Sequence, residues 1–167
     1  HTLNTVEGRS SEAMLYLLLG ESQLIASQVL TAQAAWAGAN LRVARASLAS
    51  EGEGSSPASN DRMRMLAQLV RVVEEGNKVA DALGIVGPTY LTRGAEVIRQ
   101  LRKEAPNEPR TFALVAEYHR LRGEWSEFDE AMKLAEGTER ESPALRYLRG
   151  MEQLERYRRP DLGANVM

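Results

Sequence analysis

From Ser10 to about Ser50 apolar residues recur every three or four positions and lie on two stripes. Leu15, Leu18, Ile25, Val29, Ala32, Trp36, Ala39, Val43 and Ala46 form one; Leu30, Ala34, Ala37, Leu41, Ala44 and Leu48 form the other. The pattern predicts a long helix starting at Ser10 or Ser11, with Ser11-Glu12 as its start signal, or a helix pair broken at Gly20 or Gly38. Two apolar, alanine-rich faces predict a central helix packed on both sides, because small side chains let neighbouring helices approach closely. Ile25, Val29, Ala32, Trp36 and Ala39 are the candidate residues for a homo-oligomer interface on it. Residues 22–41 carry no charge, which raises the question of a membrane span. Gln23, Gln28, Gln33, Asn40 and several hydroxyls make the stretch too polar for hydrocarbon, so no transmembrane segment is expected.

Residues 51–59 read as a flexible loop by their Gly, Ser and Pro content. A second helix is expected from Ser59 or Asn60 to about Leu83, with Leu66, Leu69, Val73, Gly76, Ala80 and Leu83 as its core stripe. Gly84, Gly87 and Pro88 then punctuate the chain, and Thr89–Glu104 reads as a further helix with Leu91, Gly94, Ile98 and Leu101 inward. Beyond Pro106, Leu114, Val115, Ala116, Tyr118 and Leu121 predict a short helix that Gly123 closes after Arg120 and Arg122. Phe128, Ala131, Met132 and Ala135 place a second short helix against it, and Leu145, Leu148, Met151 and Leu154 mark a capping helix over Ala144–Arg158. About six helices are expected in all. Residues 1–9 read as disordered or tag-derived, 10–158 as one all-α domain, and 159–167 as a tail. Within the domain, 10–84 supplies the long N-terminal helices and 88–158 the shorter hairpins.

The segment 106–143 resembles a tetratricopeptide repeat. Pro106-Asn107 precede its first helix, Phe112 takes the bulky aromatic slot, and Val115-Ala116 stand where the family has Leu-Gly. Phe128-Asp129-Glu130-Ala131 is similar to the family's aromatic-Asp-Glu-Ala, and Pro143 to its closing proline. The likeness departs at Gly123, whose distance from Phe128 predicts an extended turn through Glu124-Trp125-Ser126. Pro109 and Pro143 are 34 residues apart, the period of the family. The resemblance implies antiparallel helical hairpins in a right-handed array, here packed on the N-terminal long-helix bundle. It also implies a concave groove for a peptide or partner helix. Carried over to this chain, the groove residues are Arg110, Ala113, Glu117, Arg120 and Leu121, with Tyr147 and Met151 from the last helix.

The remaining chemistry is sparse. The chain has 167 residues, enough for one domain, and an ordinary soluble composition at 43% hydrophobic and 26% charged. A net charge of −2 offers no general attraction to nucleic acid, and none is expected as partner. With no cysteine there is no disulfide, thiolate metal site or thiol chemistry, and the choice between cytosol and periplasm stays open. The first residue is His1, which reads as a tag remnant or processing boundary and is compatible with a removed signal or lipid anchor. His119 is the sole internal histidine, which excludes zinc and di-iron motifs that need two; it reads as a helix-surface residue. The glycines of 52–54 lack a lysine and a preceding strand, Glu74-Glu75 diverge on their helix, and no nucleophile-elbow pattern occurs. No enzyme activity, metal or cofactor is expected. Arg146, Arg149, Arg156, Arg158 and Arg159 with Tyr147 and Tyr157 make a basic C-terminal segment, either a solvated face or a dock for an acidic peptide. The leading expectation is a non-catalytic interaction module, a scaffold, adaptor or assembly factor. The alternatives are a small-molecule binder of an exported transport system, with Trp36, Gln28 or Gln33 lining its pocket, and a homo-oligomeric structural protein.

Overall fold

The computed structural model describes residues 5–50, 57–138 and 142–156. Among these residues the chain is all-helical, with α1 (Val6–Ser50), α2 (Pro57–Glu104), α3 (Pro109–Arg122), α4 (Trp125–Thr138) and α5 (Pro143–Arg156). Two compact units divide it: a hairpin unit, Ser22–Pro88, and a cluster unit made of the chain up to Glu21 and from Thr89 onward. The first and last parts of the two long helices therefore belong with α3–α5. Residues 1–4, 51–56, 139–141 and 157–167, among them Tyr157, Arg158 and Arg159, lie outside the described residues.

Five helices rather than six form because α2 runs on through Gly84, Gly87 and Pro88; α1 likewise is unbroken at Gly20 and Gly38. The start of α1 is Val6, not Ser10 or Ser11: the Thr5 hydroxyl accepts from the Gly8 N–H at 3.1 Å, a side-chain N-cap, and Glu7 sits favourably in the first turn. Ser11 instead donates back to the Glu7 carbonyl at 3.0 Å, as a hydroxyl does inside a helix. The second long helix starts at Pro57, three residues before Asn60, and continues through Gly84, Gly87 and Pro88. A proline inside a helix costs about 3 kcal/mol. Close packing of α1 on the glycine face opposes that cost. A Cβ at Gly84 would lie 3.3 Å from the Ser27 hydroxyl, and Ser27 donates to the Ala80 carbonyl at 2.8 Å.

In the hairpin unit the helices are antiparallel, with Ser27 against Ala80 and Arg45 beside Met63 and Leu66. Ala34, Ala37 and Leu41 are buried with Leu66 and Ala80, the second stripe read from the sequence. The first stripe is not core. Ile25, Val29, Trp36 and Val43 are exposed, Trp36 by 72%, and Leu69 of α2 is also exposed. One helical neighbour within the unit covers only one side of α1, so the expectation of packing on both faces fails for the monomer.

In the cluster unit, the first part of α1 runs antiparallel to the last part of α2. Ala13 and Leu17 are buried with Leu91, Ile98 and Leu101, as expected for α2, while Leu15 and Leu18 are exposed. Gly94 permits the approach: a Cβ there would stand 3.1 Å from a methyl of Leu17. Tyr16 stacks on Tyr90 and Arg9 pairs with Glu104. Pro109 opens α3 at its first turn, where its missing N–H is not needed. Gly123 closes it at φ 69°, with its N–H on the Arg120 carbonyl and the Glu124 N–H on the His119 carbonyl, both 2.9 Å. Trp125 already begins α4, its ring edge-on to Phe128, so the extended turn expected there is absent. Phe128, Ala131, Met132 and Ala135 pack with Ala116, Leu145 and Leu148 in one core.

Candidate partner-binding cleft

A cleft of about 500 Å³ opens in the cluster unit between α1 and α3. Ser10, Ser11, Met14, Leu15 and Leu18 supply one wall and Arg110, Ala113 and Leu114 the other, with Ala144 at the start of α5 also in the lining. The α1 residues share a wall because they recur at three- and four-residue intervals on one helix face. Met14, Leu15 and Leu18 are 38%, 56% and 48% exposed, a large fraction for side chains of this kind packed side by side. Arg110 stands at the rim, with Glu7 3.7 Å from its guanidinium.

The three helices that line the cleft are tied to one buried guanidinium. The Arg120 side chain is 1% exposed and donates to Glu117 of its own helix through Nε and Nη2, both at 2.8 Å. Its Nη2 also donates to Glu21 of α1 at 2.7 Å, and its Nη1 to Glu155 of α5 at 2.5 Å. Burial opposes the charge on Arg120, but the hydrogen bonds and charges of Glu117, Glu21 and Glu155 outweigh it and hold its pKa above the ordinary value. Glu155 is pushed up, first by burial and then by Glu21 and Glu117, against the pull of Arg120. Tyr147 is raised by burial and by the charge of Glu117.

A second ionic group holds α4 to α5. Glu152, nearly buried, accepts from Arg149 at 2.8 Å and Arg156 at 2.9 Å; Arg149 also reaches Glu136 and Arg156 reaches Asp129. The guanidinium of Arg156 lies over the Trp125 ring at 5.8 Å. These two arginines of the basic segment are thereby engaged within the fold. His119 is half-buried, its Nδ1 2.7 Å from Glu124. Burial raises Glu124, but hydrogen bonds from His119 and Arg122 prevail and hold it below the usual carboxylate value.

Of the residues read as a partner groove, Arg110 and Ala113 line the cleft. Glu117 and Arg120 do not face a groove; both are buried in the ionic cluster, since their spacing puts them on the α3 face that α1 and α5 cover. Leu121 and Met151 are half-buried and Tyr147 is exposed, none of them in the cleft. Its main apolar wall is Met14, Leu15 and Leu18, the latter two from the first apolar stripe, which the sequence predicts as core. One signal in the sequence points to the cluster: Glu117 and Arg120 interrupt the helix face carried by Ala113 and Ala116, which suits a buried pair. Its partners Glu21 and Glu155 lie 99 and 35 residues away in the chain. The candidate interface residues Ile25, Val29, Ala32, Trp36 and Ala39 are all exposed. Gln28 and Gln33 are exposed beside them, so the closed pocket suggested for these residues and Trp36 is not formed. Among the described residues no three His, Asp or Glu side chains are gathered as for a metal ion. No family model matches this chain, and no curated protein and no solved structure matches it.

Proposed function

We propose that this chain is a non-catalytic protein-interaction module that holds an amphipathic partner helix or peptide in the α1–α3 cleft. The supporting observation is the exposed apolar row Met14, Leu15 and Leu18 facing Ala113, with walls braced by the buried Arg120. Apolar anchors in a helix-lined cleft suit a helix presenting residues at three- and four-residue spacing. Arg110 at the rim favours an acidic residue beside those anchors. The tetratricopeptide-like reading is supported by helix spacing alone: α3 and α4 are 14-residue helices separated by two residues, and α5 begins 34 residues after α3 begins, while of the groove residues it implies only Arg110 and Ala113 line this cleft. A cleft this short suits an affinity in the micromolar range, about −8 kcal/mol.

The test is site-specific photocrosslinking in cells from position 113 against position 133, which is exposed on α4. The partner captured from position 113 is then purified and its affinity measured. Leu15→Glu is expected to weaken binding more than tenfold with helicity unchanged, because Leu15 is already exposed. Equal capture from both positions, or an unchanged Kd for Leu15→Glu, refutes the assignment.

A further inference from the structure

Within the hairpin unit, Ser22, Ile25, Val29, Ala32, Trp36, Ala39, Val43 and Ala46 alternate spacings of three and four residues. All eight are exposed. The face turned toward α2 is carried by Ser27, Ala34 and Leu41, seven residues apart, on the opposite side of the helix. A sustained 3.5-residue repeat is the pattern of a helix that winds on another helix, and here α2 does not occupy it. The seam spans about 36 Å at 1.5 Å per residue.

We infer that this seam is covered by the same seam of a second copy, running antiparallel about a twofold axis that crosses the seam at the level of residue 34. The register follows from side-chain size. Pairing each position with the one that brings their numbers to 68 sets Trp36 against the partner's Ala32, Val29 against the partner's Ala39, Ile25 against the partner's Val43, and Ser22 against the partner's Ala46. Trp36 and Val29 face alanines, and Ile25 meets the partner's Val43 toward the ends of the seam. In a parallel, in-register pair Trp36 would meet the partner's Trp36, while Ala32 and Ala39 would face their own copies across gaps. Interdigitation of large with small is what close helix packing requires. A twofold interface uses one patch twice, so any charge near the axis would meet its own copy; residues 22–41 carry none. On the flanks the axis brings Gln33 beside the partner's Gln33 and Ala35 beside the partner's Ala35. By length and composition this helix could also enter a membrane. The exposed amides of Gln28, Gln33 and Asn40 along the seam suit a wet interface rim and not hydrocarbon. The seam belongs to the hairpin unit, so this inference is independent of the cleft.

The chain has no cysteine, which makes cysteine scanning clean. Size exclusion with light scattering is expected to give twice 18.5 kDa at micromolar concentrations, and Trp36→Glu to give 18.5 kDa with unchanged helicity, since Trp36 is exposed in the single chain. Ala35→Cys is expected to oxidise readily to a covalent dimer. Gln28→Cys is expected not to, because antiparallel pairing separates the two copies of position 28 by about 18 Å along the helices. A monomer for the parent chain, a trimer or larger, or equal crosslinking of both cysteines overturns the inference. So does a parent chain that is monomeric alone but floats with phosphatidylcholine–phosphatidylglycerol vesicles and is released by Trp36→Glu, which would make the occupant a lipid surface.

Discussion

Arg120→Met tests the bracing of the cleft most directly. Methionine keeps most of the aliphatic length and removes the guanidinium, so packing changes little and electrostatics change much. Four hydrogen bonds are lost, two to Glu117 and one each to Glu21 and Glu155. Glu117, whose side chain is 4% exposed, keeps its charge with no cation beside it or must take up a proton. Breaking a buried pair by removing one partner costs about 3–5 kcal/mol. The alternative, protonating an ordinary carboxylate, costs about 3.7 kcal/mol at pH 7 and about 1 kcal/mol at pH 5. The two routes agree in size. For a chain of this length they correspond to a fall in Tm of roughly 6–20 °C at pH 7. Trp36→Phe leaves Trp125 as the single tryptophan, so its fluorescence reports the cluster unit alone. The deficit in this background is expected to shrink by more than half between pH 7 and pH 5. A variant that melts within about 2 °C of its parent at pH 7, or a deficit that does not shrink on acidification, would show that no charge is stranded and refute the reasoning.

Two further outcomes are expected. Gly123→Ala should cost about 1 kcal/mol in chemical denaturation, because a side chain at φ 69° is strained although the added methyl has open space; an unchanged midpoint would mean the turn relaxes freely. Glu155 has a folded-state pKa above its ordinary value, so its stabilising contribution is complete at pH below that ordinary value and is lost as pH rises through the folded-state value. The Tm of the parent minus that of Glu155→Gln should therefore fall as pH rises from about 4.5, and a difference that climbs over that window would contradict the assignment.

The short helices were legible because their signals are local. Gly123 in the left-handed conformation that glycine adopts most readily, and Phe128, Ala131, Met132 and Ala135 at helical spacing need no distant partner to be read. The all-helical class followed in the same way. Helix ends in the long elements were harder. A glycine or proline is a breaker only in the absence of a neighbour, and Ser27 packed at Gly84 turned an expected stop into continuous helix. The cleft was half legible: Arg110 and Ala113 could be placed on α3, but their opposite wall comes from α1 residues nearly a hundred positions earlier.

Periodicity determined by itself that α1 has two apolar faces, because spacing along a helix fixes which side chains share a side. It could not determine which face meets α2, since Leu41 and Val43 are equally apolar. That choice belongs to the tertiary structure, where one helix alongside covers Ala34, Ala37 and Leu41 and leaves Trp36 and Val43 in solvent. The same holds for Arg120, read from the chain as a surface anchor. Its burial depends on Glu21 and Glu155 arriving from α1 and α5, which join Glu117 of its own helix in compensating a guanidinium removed from water.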